Sequence, residues 1–294
     1  MELVLRTKVR DLKTGLIVEG GGMKCAYSAG VLDVFLDENI TFDYCIGVSA
    51  GAANTASFLA GQRERNKRFY CDYSSDPEYF GVKSFVKTGN LFGLDYIYGT
   101  LTEEGGKDPL DYEAMMKNPA EFECPATDVE TGRPHYFTKK DIHPNDYSVI
   151  KATCAIPVAA KAVEIDGRFY YDGGVSDSIP VWRAMEKGCD KIVVIMSKPK
   201  GYRLEPQGHR GVYTRVLRKK PNVIHALDHR HEVYNAQMAE VLKLEKEGKA
   251  FVYYTPAMDK MSTYSIDTVI AKALYDSGVY DGQQSVEALK EFLK

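Results

Sequence analysis

Gly47-Val48-Ser49-Ala50-Gly51 sets a serine between two glycines at the spacing of a nucleophile elbow. A serine on a sharp strand-to-helix turn needs small neighbours, because the backbone there packs closely against itself. The turn lifts the hydroxyl clear of the sheet, and the next helix points its first N–H groups at the same spot. A second Gly-rich turn, Gly20-Gly21-Gly22-Met23-Lys24, lies about thirty residues upstream. Successive glycines leave amides unobstructed and permit positive φ, so this loop suits an oxyanion hole, with donors aimed at charge developing on a carbonyl oxygen. It fits neither nucleotide fingerprint. Gly-x-Gly-x-x-Gly would need glycine where Cys25 stands, and a phosphate-cradling loop would need a Gly-Lys-Ser/Thr ending. The third element, Asp172-Gly173-Gly174, reads either as a carboxylate held at a sheet edge or as an ordinary turn with an aspartate cap.

A serine served by an aspartate alone is an unusual chemical pair. The reference pKa of aspartate, near ~3.9, lies far below that of an alcohol. Proton transfer is still workable inside the transition state if strong donors carry the charge on the carbonyl oxygen. An aspartate-only base therefore demands a good oxyanion hole, and Gly20 to Met23, with help from the Ala50 amide, supply candidates.

The elements around these turns have an α/β rhythm. Leu16-Ile17-Val18 is a short apolar strand running into the glycines, and a helical pattern follows from Met23 to about Asp37. A second strand around Tyr44–Ile46 leads into the elbow, and Ala52–Leu59 reads as a helix of small residues. Strands are also expected at Pro134–Thr138, Arg168–Tyr171, Lys191–Ser197 and Ala250–Tyr254. Long helices are expected from about Ile224 to Glu247 and over Gln283–Leu293. The alternation points to a mostly parallel sheet flanked by helices. The stretch from Tyr70 to Pro119 is irregular and rich in aromatics, and reads equally as a cap over an apolar pocket and as a surface insertion.

Bulk properties narrow the class. The chain has 294 residues, is 44% hydrophobic and 27% charged, and carries a net charge of −3. That is enough to bury a large core, and it gives no reason to expect a nucleic-acid partner. Residues 198–220 hold eight basic residues against Glu205 alone, a local +7 on a body of −10. Such a stripe reads as a solvated loop, or as a face toward anionic lipid or phosphate. The six cysteines form no CxxC pair, the first thirteen residues lack a signal-like apolar run, and no stretch is long and apolar enough for a membrane span. The expectation is a cytoplasmic protein that meets a membrane, if at all, at its surface.

Taken together, Gly-Gly-Gly-x-Lys, Gly-x-Ser-x-Gly and a distant Asp-Gly-Gly resemble the patatin-like phospholipases, bacterial branch. Ala126-Thr127-Asp128, Thr131-Gly132, Ala155-Ile156-Pro157, Asp166-Gly167 and Ile179-Pro180-Val181 extend the resemblance over residues 15 to 197. It implies a three-layer α/β fold and a serine–aspartate dyad acting on ester bonds of lipids. Ser49 would be nucleophile and Asp172 base, Gly20, Gly21, Gly22 and Met23 the oxyanion loop, and Lys24, Gly47, Gly51, Gly173 and Gly174 their motif neighbours. No metal or organic cofactor is implied. Cys25 departs from the glycine usual in that loop, and Glu19 stands where aspartate is common. The expected organisation is a catalytic part over 15–197, a basic loop or linker over 198–222, and a helical and strand part over 223–294 packed on the same unit. Open alternatives are a Ser–His–Asp esterase using His225, His229 or His231, a metal held by His225 and His229, an acyltransferase, and a non-catalytic lipid-binding module.

Overall fold

The computed structural model describes residues 12–257 and 266–294. The expectation about the N-terminal stretch falls mostly on residues outside these. Among the described residues, eight strands form one sheet: β1 (Thr14–Val18), β2 (Tyr44–Gly47), β3 (Glu121–Asp128), β4 (Pro134–Thr138), β5 (Val163–Ile165), β6 (Arg168–Asp172), β7 (Lys191–Met196) and β8 (Ala250–Tyr254). Their order is β5-β6-β3-β2-β1-β7-β8, with β4 also paired to β3. The β3-β2-β1-β7-β8 part is parallel, and β4, β5 and β6 join antiparallel. The expected mostly parallel sheet is present.

Parallel strands covered on both faces must be apolar where they are buried, as are residues 16–18 of β1 and 192–196 of β7. Alternation along the strands divides the core. Leu16, Val18, Cys45, Val193 and Ile195 face α1 (Ala26–Asp37) and α2 (Ala50–Leu59). Ile17, Tyr44, Ile46, Ile192, Val194 and Met196 face the other way. Seven further helices are α3 (Arg65–Cys71), α4 (Val82–Thr88), α5 (Tyr112–Lys117), α6 (Ser148–Thr153), α7 (Val181–Glu186), α8 (Arg210–Val216) and α9 (Pro221–Lys246). Residues of α7 and α9 cover the second face. The last helix, α10 (Thr268–Leu293), lies on α1.

The α1–α10 contact is backbone to backbone. A Cβ on Gly30 would strike the Tyr275 carbonyl oxygen, and one on Gly278 would strike that of Tyr27. Two hydroxyls pin the pair: Tyr27 donates to Asp281 (2.7 Å) and Tyr275 to Asp33 (2.6 Å).

Several elements differ from the sequence expectation. Helix α10 starts at Thr268, far before Gln283, with Asp267 capping the Val269 and Ile270 amides. Helix α9 starts at Pro221, where a missing N–H costs nothing. Helix α1 starts at Ala26, because Gly22 has φ 55° and residues Gly22–Cys25 form a 3-10 turn. Strand β3 carries Pro125 at its centre, which masks it as a strand. The basic stretch 198–222 is not all loop, since it contains α8 and the first residues of α9.

Candidate active site

Strand β2 ends at Gly47 and α2 begins at Ala50, so Ser49 occupies the elbow. Its φ of 53° and ψ of −130° are a strained conformation for a non-glycine residue, costing on the order of 1–3 kcal/mol. The elbow is held by fit and by hydrogen bonds. A Cβ on Gly47 would come within 2.6 Å of Ala52 Cα, and one on Gly51 would hit the Val18 carbonyl. The Val48 amide donates to Val18 O at 3.0 Å. The Ser49 amide donates to Thr153 Oγ1 at 3.0 Å, and that hydroxyl donates to Pro125 O at 2.6 Å.

Asp172 closes β6. Its amide donates to Ala155 O at 2.8 Å, and its carbonyl accepts from Thr127 Oγ1 at 2.8 Å. The side chain meets Ser49: Ser49 Oγ donates to Asp172 Oδ2 at 2.7 Å, and the Gly174 amide donates to Oδ1 at 2.7 Å. Gly173 sits against Pro125, with no room for a Cβ. Burial raises the Asp172 carboxyl to about 6, against the pull of the Ser49 and Gly174 hydrogen bonds and the charge of Arg230. At neutral pH it remains a carboxylate, a stronger base than an exposed aspartate.

The glycine loop passes over the elbow. A Cβ on Gly20 would lie 2.8 Å from both Ser49 Cβ and Val48 O, and one on Gly21 would lie 2.6 Å from Ser197 Oγ. Among the described residues, the amides of Gly20, Gly21 and Ala50 donate to no backbone or side-chain acceptor. Met23 is buried in the turn that follows. Lys24 is half-buried, and burial followed by the charge of Lys198 lowers its pKa.

Cys25 turns inward instead of disturbing the loop. Its thiol donates to Glu19 O at 3.4 Å, and burial pushes its pKa up to about 12. Its carbonyl accepts from Ser28 Oγ (2.9 Å) and Asn54 Nδ2 (2.8 Å), which ties the loop to α1 and α2. Glu19 is buried and accepts the Ser197 amide at 2.6 Å, which links the loop to the end of β7.

The late histidines do not join this group. His225 and His229 contact one another as tilted rings with centroids 4.4 Å apart, and His229 Nδ1 pairs with Glu232 at 3.0 Å. The Asp172 oxygens take their hydrogen bonds from Ser49 and Gly174, leaving no place for an imidazole between serine and aspartate. Among the described residues no cluster of three metal-ligating side chains occurs.

Two cavities meet at Ser49. One of about 470 Å³ is bounded by Gly20–Gly22, Ser49 and Asp172 on one side and by Lys198, His209, Val212, Arg230 and Tyr234 on the other. A smaller one, about 60 Å³, is lined by aromatics of the irregular stretch, including Tyr70, Tyr79, Phe92 and Tyr98. Those residues thus serve as a pocket wall. The sequence reading missed Thr153, Lys198, His209 and Arg230 at this site. Lys198 lay inside the noted basic stripe, but no local motif marks the others.

An elbow serine facing an aspartate at the edge of a mostly parallel α/β sheet defines the class, and the chain belongs to the patatin-like phospholipase family, whose model matches residues 16–185. A second model, a domain of unknown function (DUF6363), matches residues 220–294. The chain is 33% identical over 202 residues to the uncharacterized protein YjjU of Escherichia coli K12, covering 66% of this chain and 55% of that protein. It is 22% identical over 299 residues to the lysophospholipase NTE1 of Kluyveromyces lactis, covering 94% of this chain and 19% of that one. The chain therefore spans about half or less of these relatives' length. A solved structure, VipD from Legionella pneumophila, superposes with a TM-score of 0.48 at 12% identity, covering 95% of this chain and 67% of that chain.

Proposed function

We propose that the protein is a serine acyl hydrolase of lipid carboxylic esters that uses Ser49 and Asp172 as a dyad. The observation that carries this reading is the 2.7 Å hydrogen bond from Ser49 Oγ to a buried carboxylate beneath the glycine loop. Ser49 Oγ attacks the ester carbonyl as its proton passes to Asp172 Oδ2. The carbonyl oxygen becomes an oxyanion held by the amides of Gly20, Gly21 and Ala50. Asp172 then hands the proton to the departing alcohol, leaving an acyl-serine. Water attacks the acyl-enzyme with Asp172 again as base, releasing the fatty acid and restoring Ser49. The relative named as a lysophospholipase supports a lipid ester as substrate.

The reading includes a membrane-facing mouth. Val212 and Val216 are exposed one turn apart on α8, with Arg215, Arg218 and Lys219 exposed beside them. Val212 also lines the larger cavity. Apolar anchors amid basic residues suit an anionic bilayer. Among the described residues, no helix is long and apolar enough to cross a membrane.

The test is fluorophosphonate labelling together with turnover of p-nitrophenyl esters by wild type, Ser49→Ala and Asp172→Asn. Labelling of wild type and its loss in Ser49→Ala are expected, with turnover reduced on the order of a thousandfold or more in either variant. Full turnover by Ser49→Ala would overturn the proposal. Adding glycerol as an acceptor separates release of free fatty acid from acyl transfer.

A further inference from the structure

We propose that the larger cavity holds a subsite for an anionic group, a phosphate on the alcohol side of the ester, formed by Lys198 and Arg230. This rests on the hydrolase reading of Ser49 and Asp172.

Both cations line the cavity, and both come from outside the stretch matched by the family model: Lys198 follows β7, and Arg230 lies on α9. They flank the reacting hydroxyl. Lys198 Nζ donates to Ser197 Oγ at 3.2 Å, and Ser197 Oγ donates to Gly20 O at 2.6 Å, so the ammonium stands beside the oxyanion loop. Arg230 Nε donates to Gly174 O at 2.6 Å, on the residue whose amide holds Asp172, so the guanidinium stands beside the base.

Among the described residues no carboxylate forms an ion pair with either cation; Lys198 lies over the Tyr202 ring, 5.8 Å from its centroid, and the Arg230 charge reaches Asp172 only from beyond ion-pair distance. The two acids on the cavity wall are engaged: Glu19 with the Ser197 amide, and Asp172 with Ser49 and Gly174. Lys24 adds a third positive neighbour, whose pKa is depressed by burial and then by the charge of Lys198. Half-buried, unpaired positive charge is costly, and an anion taking charge-assisted hydrogen bonds offsets that cost. A phosphate offers oxygens to both an ammonium and a guanidinium.

The smaller cavity assigns the other end of the substrate. Its aromatic lining and its volume of about 60 Å³ suit a short acyl group or the first carbons of a longer one, and it adjoins Ser49 through Gly22, Ala50 and Ile156. With the acyl group starting there, the alcohol part of the ester falls on the Lys198–Arg230 side.

The experiment measures kcat/KM for a short-chain 1-acylglycerol 3-phosphate and for the 1-monoacylglycerol with the same acyl group. Both are presented as monomers, to wild type, Lys198→Met, Lys198→Arg and Arg230→Gln. Wild type is expected to prefer the phosphate by tenfold or more. The preference falls at least fivefold in Lys198→Met and Arg230→Gln and is largely kept in Lys198→Arg. The ratio cancels any loss common to both substrates, and circular dichroism identifies a variant that fails to fold. Equal turnover of both esters by wild type overturns the subsite and leaves the hydrolase reading standing. If wild type turns over neither and Ser49 resists fluorophosphonate, the hydrolase reading fails. The cations are then judged by calorimetric binding of glycerol 3-phosphate against glycerol. Tighter binding of the phosphate that is lost in Lys198→Met supports the subsite, and equal binding overturns it. Inorganic phosphate binding as tightly as glycerol 3-phosphate, with no preference between the esters, assigns the cations to a free anion and overturns a headgroup role.

Discussion

Thr153 Oγ1 accepts a hydrogen bond from the backbone N–H of Ser49 at 3.0 Å and donates one to Pro125 O at 2.6 Å, so one threonine on α6 ties the elbow to the middle of β3. A strained residue keeps its conformation only where its surroundings over-determine it. Thr153 is fully buried and is one of those constraints.

Thr153→Val keeps the shape but removes the hydroxyl, leaving the Ser49 amide and the Pro125 carbonyl unpaired. The expected cost is about 1–3 kcal/mol, together with a drop in kcat of tenfold or more as Ser49 relaxes. Thr153→Ser should retain both properties. Urea denaturation and ester turnover read the two effects. A wild-type kcat in Thr153→Val would remove Thr153 from the positioning of Ser49.

The raised Asp172 pKa fixes the sign of two pH effects. The proposed dyad needs the carboxylate, so kcat/KM for a neutral ester should rise with pH through about 6 and then level off. A profile that falls across this range would contradict Asp172 as base. Stability runs the other way. The native state holds this proton more tightly than the unfolded chain, whose value is near 3.8, so the contribution is full below that pH and is lost as pH rises through about 6. Asp177, also raised by burial to about 6, adds in the same direction. Asp172→Asn should therefore be more stable than wild type at pH 8, by up to about 3 kcal/mol, while almost inactive. Thermal melts at pH 5 and pH 8 provide the comparison.

Gly20→Ala tests the loop. The new methyl would crowd Ser49 Cβ and Val48 O, both 2.8 Å away. Val48 O is backbone and Ser49 is held by the hydrogen bonds of the elbow, so neither steps aside freely. Fluorophosphonate labelling should slow by a hundredfold or more. Near-normal labelling would show that the loop has slack and is not a tight oxyanion frame.

The α8 face predicts salt-dependent vesicle binding. Wild type should sediment with phosphatidylglycerol vesicles at low salt and less with phosphatidylcholine vesicles. Replacing Val216 with Asp and Arg215, Arg218 and Lys219 with Glu should abolish the difference. Binding that ignores lipid charge and salt would leave this stretch a plain surface.

Much of the site was readable because its parts are local. A glycine triplet, an elbow and an Asp-Gly-Gly each fit within five residues, and their sterics demand small side chains that composition alone does not supply. The supports were not readable. Thr153 lies 104 positions from Ser49, and Arg230 lies 56 from Gly174. A threonine or arginine becomes part of a site only through the packing of α6 and α9. Secondary structure failed where a local rule was overridden. Pro125 sits inside β3, where its own missing N–H is tolerated beside pairing to Tyr136. Helix α10 begins fifteen residues before Gln283, through a stretch whose Gly278 and Gly282 depress helix propensity. Those glycines are there for the close approach of α1, which one sequence window cannot show.

That close approach bears on how such a chain can be cut. The two family models stop and start at residues 185 and 220, yet β7 and β8 extend the same sheet beyond the first of them, and α10 presses its glycines onto α1. A fragment ending near residue 197 would expose β7 as a bare edge and uncover the glycine groove of α1, both invitations to aggregate. The full chain should accordingly melt in one cooperative transition. The two parts are therefore one physical unit: Gly30 leaves room for the α10 backbone and for nothing larger than a hydrogen, so the C-terminal stretch could be removed only if α1 were resurfaced at the same time.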